Sequence, residues 1–243
     1  MFSGKIEDYI LFEDKEIIVC CKPAGIAVQN ARIGAMDLES SLKNYLAMQA
    51  GGGRRIPYLA VIHRLDQPVE GILVFGKTPE AAKSLSAQIT AGKMEKIYLA
   101  VTYGKQAEAG KKEKVLEDYL KKDGKSNTSS VVNAHTPGAK KARLSYEVLG
   151  EAVDAISGKK KWLLRIHLDT GRHHQIRVQM AHAGMPLAGD RKYGAGTNVT
   201  IGAGSLALCA ASLTFFHPIT GKVMKFVTNP EGAEFKGISI PQM

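Results

Sequence analysis

Cysteine is scarce in this chain. Only Cys20, Cys21 and Cys209 occur among 243 residues, and none of them forms a Cys-x-x-Cys pair. An odd number of thiols in apolar settings argues against a disulfide framework and fits reduced core thiols in a cytoplasmic protein. Long apolar runs are missing too: none approaches the roughly 20 residues that cross a bilayer. Met1-Phe2-Ser3-Gly4-Lys5 is not followed by the apolar core of a signal peptide, and no lipidation motif or basic amphipathic helix points to a membrane surface. Gly51-Gly52-Gly53 lacks the Lys-Ser/Thr ending and following helix of a nucleotide-binding loop. The seven histidines include no His-x-x-x-His or His-Glu-x-x-His pair, so no metal site is expected. A Gly-x-Ser-x-Gly elbow is also absent, which argues against a serine hydrolase.

What the chain has in excess is positive charge. Thirty-three Lys and Arg against 23 Asp and Glu give a net charge of +10. With no membrane motif beside it, that balance points to a polyanionic partner, and nucleic acid comes first. The length suits one substantial core or two small lobes, and an apolar fraction of 44% fits a globular protein.

The chain is organised around Ala60-Val61-Ile62-His63-Arg64-Leu65-Asp66-Gln67-Pro68, followed by a second apolar run from Gly71 to Phe75. Two strands flanking a Pro-containing loop hold a carboxylate, Asp66, at the loop tip, where a rigid scaffold can aim it into a site. Ahead of it, Glu16 to Lys22 reads as a short buried strand stopped by Pro23-Ala24-Gly25. Asp37 caps a helix through about Met48, with Leu38, Leu42, Tyr45 and Leu46 on one face. A flexible basic loop, Gly51 to Arg55, offers Arg54 and Arg55 to a phosphate backbone. Thr78-Pro79-Glu80 starts a second helix that Gly92 ends.

Further on, Glu95 to Gly104 alternates with period two, Ile97, Leu99 and Val101 facing opposite to Lys96, Tyr98 and Ala100. A tyrosine beside a lysine offers a ring to stack on a base and a hydroxyl for proton transfer. Lys105 to Lys141 is polar and reads as a hairpin or a long surface loop. Strands follow at Lys141–Leu149 and Trp162–Asp169, separated by a turn at Gly158-Lys159-Lys160-Lys161. Thr170-Gly171-Arg172 breaks the second strand, and a helix runs from His173 to Ala183. Two closing strands flank a turn at Thr220-Gly221. Alternation of this kind gives an α+β fold with a mixed, mainly antiparallel sheet and flanking helices.

His63-Arg64-Leu65-Asp66 with Gly71 and Val74-Phe75-Gly76-Lys77-Thr78, Lys96-x-Tyr98-x-Ala100, and Thr170-Gly171-Arg172-His173-His174-Gln175-Ile176-Arg177 together resemble the three ordered motifs of the RluA family of pseudouridine synthases. Lys22-Pro23-Ala24-Gly25, Ala188-Gly189-Asp190 and Leu208 to Pro218 resemble the family's flanks, so the likeness runs from about residue 10 to 230. The chain departs at Val69-Glu70, where the family carries Thr-Ser, and at His173, where Thr or Ser is usual. The resemblance implies a sheet bisected by a central catalytic cleft, and isomerisation of uridines to pseudouridine in ribosomal or transfer RNA. It implies a single catalytic domain over 1–243 with no small RNA-binding module ahead of it, acting as a monomer without cofactor or metal.

The resemblance places the catalytic acid at Asp66, the stacking tyrosine at Tyr98 and the arginine that pairs with the acid at Arg177. Asp66 either attacks the anomeric carbon or takes the ribose 2′ proton to give a glycal. Arg177 keeps that carboxylate ionised against desolvation, and Tyr98 is a candidate for removing the proton at carbon 5. The target uridine must leave its stack, at a cost of roughly a few kcal/mol. Arg64 is placed to fill the vacancy or hold the flipped phosphate, and His63, Lys96, Arg172 and His174 to help hold RNA. The rival reading is an RNA-binding or RNA-folding protein that uses the same scaffold without catalysis.

Overall fold

A computed structural model of the chain describes residues 2–30, 36–51, 56–103, 113–153, 158–194 and 205–242. It divides into two compact units, Met1–Glu95 with Ala210–Asn229, and Lys96–Cys209 with Pro230–Met243.

In the first unit, β1 (Ile10–Glu13) turns into β2 (Ile17–Lys22) through Asp14, whose Oδ1 accepts the N–H groups of Glu16 and Ile17 at 2.8 Å each. Strand β2 pairs antiparallel with β4 (Glu70–Gly76), running from Ile17 opposite Gly76 to Lys22 opposite Gly71. The run before the central motif forms only a two-residue strand, β3 (Ala60–Val61), paired with the end of β4. The chain then leaves the ladder at Ile62 to build the Asp66 loop.

Both expected helices are present. In α1 (Leu38–Gln49) Asp37 accepts from Ser40 N at 2.7 Å, and Leu38, Leu42 and Leu46 are buried. In α2 (Pro79–Thr90) Thr78 Oγ1 accepts from Ala81 N at 3.2 Å. Ala81 and Leu85 of α2 pack on Ile17, Val19, Ile72 and Val74 and on Leu213 and Phe215 of the closing hairpin. Each of these large side chains contributes about 2–3 kcal/mol by leaving water. That hairpin joins β10 (Leu208–Phe216) to β11 (Val223–Val227).

The second unit is an antiparallel sheet in the order β5 (Glu95–Thr102), β9 (Lys160–Leu168), β8 (Lys140–Val153), β6 (Lys114–Asp123), β7 (Thr128–Val132). The polar stretch before Lys141 therefore contains a hairpin, β6 to β7, whose described part begins at Glu113. Helix α3 (Gln175–His182) buries Val178 against Leu120 and Ala142.

Three details differ from expectation. Helix α3 starts at Gln175, because His174 takes left-handed backbone angles (φ 53°, ψ 25°) and stops the helix extending back to His173. Strand β5 is buried on both faces from Tyr98 onward, so its alternation does not separate core from solvent. Lys161 is a buried residue of β9 and not part of a solvated turn: its ammonium donates to the carbonyls of Glu234 (2.9 Å) and Lys236 (3.1 Å), beside the buried Phe235.

The α+β class holds, and every register resolved within the two units is antiparallel. Among the described residues, no helix is long and apolar enough to cross a membrane.

Candidate active site

Asp66 sits half-buried on the loop between β3 and β4, with Arg64 exposed and Leu65 packed inward. The loop closes on itself where Val69 N donates to Asp66 O at 3.0 Å. It is also clasped by the turn after β2. Gly25 N donates to Gln67 O (2.9 Å), and Gln67 Nε2 returns a bond to Gly25 O (3.0 Å).

Beneath both lies Lys22, with no exposed surface at all. Its ammonium donates to the carbonyls of Ile26 (2.7 Å), Pro23 (3.0 Å) and Gln67 (3.1 Å). Burial pushes the Lys22 amine down to about 8, while the carboxylates of Asp66 and Glu70 pull it back up. A buried cation thus faces two acids, and its three donors tie the turn after β2, at Pro23 and Ile26, to the Asp66 loop, at Gln67. Glu70 and Val69, where the chain departs from the family pattern, are both buried. His63 is tied to the strand, its Nε2 accepting from Val74 N at 3.3 Å.

The second unit carries Tyr98, Lys96, Arg172, His174 and Arg177. Tyr98, 6% exposed, stands opposite Ile166 on β9. Burial lowers the pKa of Lys96, and Asp169 opposes that shift. Arg172 is exposed and donates from Nε to Lys141 O at 2.9 Å.

Arg177 is only 5% exposed, on α3, and is gripped by Asp190, 1% exposed: Nε and Nη2 each donate to one carboxylate oxygen at 2.8 Å. Asp190 also accepts from the backbone N–H of Lys192 (2.9 Å) and Tyr193 (3.2 Å). Burial works to raise the Asp190 carboxyl, but the guanidinium and these N–H groups outweigh it and hold the group below its usual range. The Tyr193 ring lies under the guanidinium, 5.1 Å from Cζ to the ring centroid. Its hydroxyl accepts from Ser129 N (2.8 Å) and lies 2.7 Å from His174 Nδ1.

Of the residues expected from the sequence, Arg54 and Arg55 lie outside the described residues. The structure brings His174 and Arg177 together around Tyr193. It also adds residues that sequence reasoning passed over. Lys22 was visible only as a flank of a turn, although a charge ending the run Ile17 to Cys21 was a usable signal. Asp190, read as one more match, turns out to be the carboxylate that orients Arg177. Tyr193 belongs to the stretch from Ala188 to Gly194 that resembles the family's tail, and Gln67 to the turn-prone Gln67-Pro68, but nothing in the sequence gives either a contact with the site.

Chemically, the first unit presents a carboxylate on a pinned loop, and the second an oriented guanidinium and a buried tyrosine. Among the described residues, no cluster of three or more His, Cys, Asp or Glu is disposed to hold a metal.

Residues 16–182 match the model of the family described as RNA pseudouridylate synthase. The chain is 33% identical over 233 residues to ribosomal large subunit pseudouridine synthase D of Pseudomonas aeruginosa, covering 91% of this chain and 68% of that protein. It is 29% identical over 234 residues to the enzyme of the same name from Xanthomonas campestris, covering 89% of this chain and 64% of that protein. Against curated relatives of this kind the chain thus spans roughly two thirds of their length, 64% to 68%. Among solved structures, human RNA pseudouridylate synthase domain containing 4 superposes with a TM-score of 0.71 at 21% identity, covering 93% of this chain and 90% of that one, which establishes the fold. The family model covers all three motifs and the Lys22–Gly25 flank, and with that match the chain belongs to the RNA pseudouridylate synthase family, of the RluA type.

Proposed function

We propose that this chain isomerises specific uridines to pseudouridine in structured RNA, with Asp66 as the catalytic acid and with both units serving the reaction as a single catalytic domain. The observation that carries the reading is a half-buried carboxylate at the position the resemblance gives to the catalytic acid, on a loop tied at Gln67 O to the buried Lys22, which also holds the Pro23 and Ile26 carbonyls of the neighbouring turn. The bond from uracil N1 to the ribose breaks, and a bond from carbon 5 to the same ribose carbon forms. The proton leaving carbon 5 is balanced by one gained at N1, so no co-reactant is consumed. Asp66 either attacks the anomeric carbon or removes the 2′ proton. Arg177 stabilises the ionised acid, and Tyr98 stacks on the uracil and serves the carbon 5 proton.

The excess of positive charge supports RNA as the partner, through contacts to the phosphate backbone that carry no sequence information. Arg64 and Arg172, both exposed, are the described side chains best placed to meet phosphates, and we assign His63, Lys96 and His174 to holding the nucleotide's surroundings. The names of the relatives favour large-subunit ribosomal RNA over transfer RNA. We place the protein in the cytoplasm, as a monomer.

The test is Asp66→Asn, with pseudouridine measured as tritium release from uridine labelled at carbon 5 in ribosomal and transfer RNA transcripts. The variant is expected to lose at least about a thousandfold in rate while RNA affinity stays within about twofold. A variant with full activity refutes the mechanism. A wild type that binds RNA but forms no pseudouridine establishes the binding protein instead.

A further inference from the structure

The proposed reaction leaves His173 without a task, yet its ring is engaged on three sides. Nδ1 lies 2.9 Å from Ser129 Oγ, and Nε2 lies 3.2 Å from Asn127 Oδ1. A carboxamide oxygen only accepts, so Nε2 carries the proton and Nδ1 takes the Ser129 hydroxyl. Both partners belong to the β6–β7 hairpin, 46 and 44 residues earlier in the chain. The face of the ring stacks on His174, with centroids 3.8 Å apart and planes at 24°. His174 is the residue held in left-handed backbone angles, which cost a non-glycine residue about 1 kcal/mol or more.

From His174 the chain of contacts passes to Tyr193 and returns to the hairpin, because the Tyr193 hydroxyl accepts from Ser129 N. A second tie closes beside it, where Lys192 Nζ donates to Asn127 O at 2.8 Å. The circuit encloses the Tyr193 ring that underlies the Arg177 guanidinium.

We propose that His173 is a positioning residue for the reaction: it clasps the β6–β7 turn to the start of α3 and, through His174 and Tyr193, fixes the direction of the Arg177 guanidinium. The Thr or Ser usual at this place offers one oxygen next to Cβ and cannot span both Ser129 and Asn127, whereas an imidazole can. The clasp rests on the proposed reaction, in which Arg177 serves the catalytic acid.

Three variants isolate it. His173→Phe keeps a flat ring for the stack and removes both hydrogen bonds. His173→Gln keeps a donor that reaches Asn127. Asn127→Gly preserves the left-handed turn (φ 49°) and removes the acceptor. Single-turnover rates at saturating RNA are read beside RNA affinity, with amide exchange at Ser129 N, whose acceptor is the Tyr193 hydroxyl.

His173→Phe is expected to slow the rate about tenfold, the equivalent of one net hydrogen bond, with RNA affinity unchanged and faster exchange at Ser129. His173→Gln recovers most of the rate, and adding Asn127→Gly to His173→Phe slows it no further. A wild-type rate in His173→Phe, equal losses in Phe and Gln variants, or additive losses in the double variant each overturn the clasp. A wild-type protein that makes no pseudouridine overturns the underlying reaction instead, and unchanged Ser129 exchange in His173→Phe then removes the clasp as well.

Discussion

Asp190→Asn tests the account of Arg177 most sharply. In the wild type, Asp190 receives four donors: two from the guanidinium, and the backbone N–H groups of Lys192 and Tyr193. The asparagine removes the charge and turns an NH2 group toward a guanidinium that can only donate. Breaking a buried ion pair from one side costs about 3–5 kcal/mol. For a chain of this size that lowers the melting temperature by roughly 10 °C. Adding Arg177→Met removes the stranded cation, so the double variant is expected to be more stable than the sum of the single losses by about 2 kcal/mol.

The pH dependence has a definite sign. The folded carboxyl lies below its unfolded value of 3.8, so the unfolded chain takes up the proton first. The stabilisation is fully present above that value and is lost as pH falls toward the folded pKa. Urea melts at neutral pH and on the acid side should show the wild type losing stability more steeply than Asp190→Asn. A variant within about 1 kcal/mol of wild type, or acid limbs that run parallel, would refute the argument.

Gly71→Ala should destabilise the first unit by about 3 kcal/mol or more. Gly71 has φ 125°, and a Cβ there would meet the Ala210 backbone, 2.8 Å from its carbonyl carbon; a urea curve with an unshifted midpoint would contradict this. Lys22 gives the same pH slope as Asp190 for the opposite reason, since here the charged form is the one that folding disfavours: its folded pKa of about 8 lies below the unfolded 10.5. Below the folded value both states are protonated and folding bears the full desolvation cost. Stability therefore rises between about pH 8 and 10.5, by roughly 3 kcal/mol relative to Lys22→Met. Wild-type and Lys22→Met stabilities that change in parallel over that interval would show that the buried amine does not titrate there.

Much of this fold was legible in the sequence where a local rule has one physical meaning. Asp37 and Thr78 announce helix starts because a side-chain oxygen must satisfy the first free N–H groups, and both do so. The Asp66 loop was readable because Pro and Gly interrupt two apolar runs. Lys161 was misread because Gly158 and three consecutive lysines have a turn's composition. What buries Lys161 is a pair of carbonyls more than seventy residues away, at Glu234 and Lys236, which no local window contains. The break at His174 escaped for a related reason. Left-handed angles stay uncommon for any non-glycine residue, histidine included, and here stacking on His173 and the bond to Tyr193 hold it there. The partner of Arg177 was hidden because ion pairing across a helix and a loop follows the fold and not the spacing along the chain.

The buried charges are placed where orientation matters more than stability. The apolar clusters around Val19, Val74 and Phe215, and around Leu120 and Ala142, hold the sheets without ionic help. Lys22 and the Arg177–Asp190 pair each bear a desolvation cost that a hydrophobic replacement would avoid. Both lie against the segments that carry the proposed catalytic groups, with carbonyls of the two turns accepting all three Lys22 donors and the two Asp190 carboxylate oxygens accepting from Nε and Nη2 of Arg177. The buried side-chain atoms that lack a hydrogen-bond partner among the described residues are Thr102 Oγ1, Trp162 Nε1 and Thr214 Oγ1, and none of them belongs to either network. Directional bonds of this kind favour one backbone arrangement where an apolar contact would permit several. The proposed reaction, in which the Asp66 carboxylate must reach a single ribose carbon, requires that restriction of its loop.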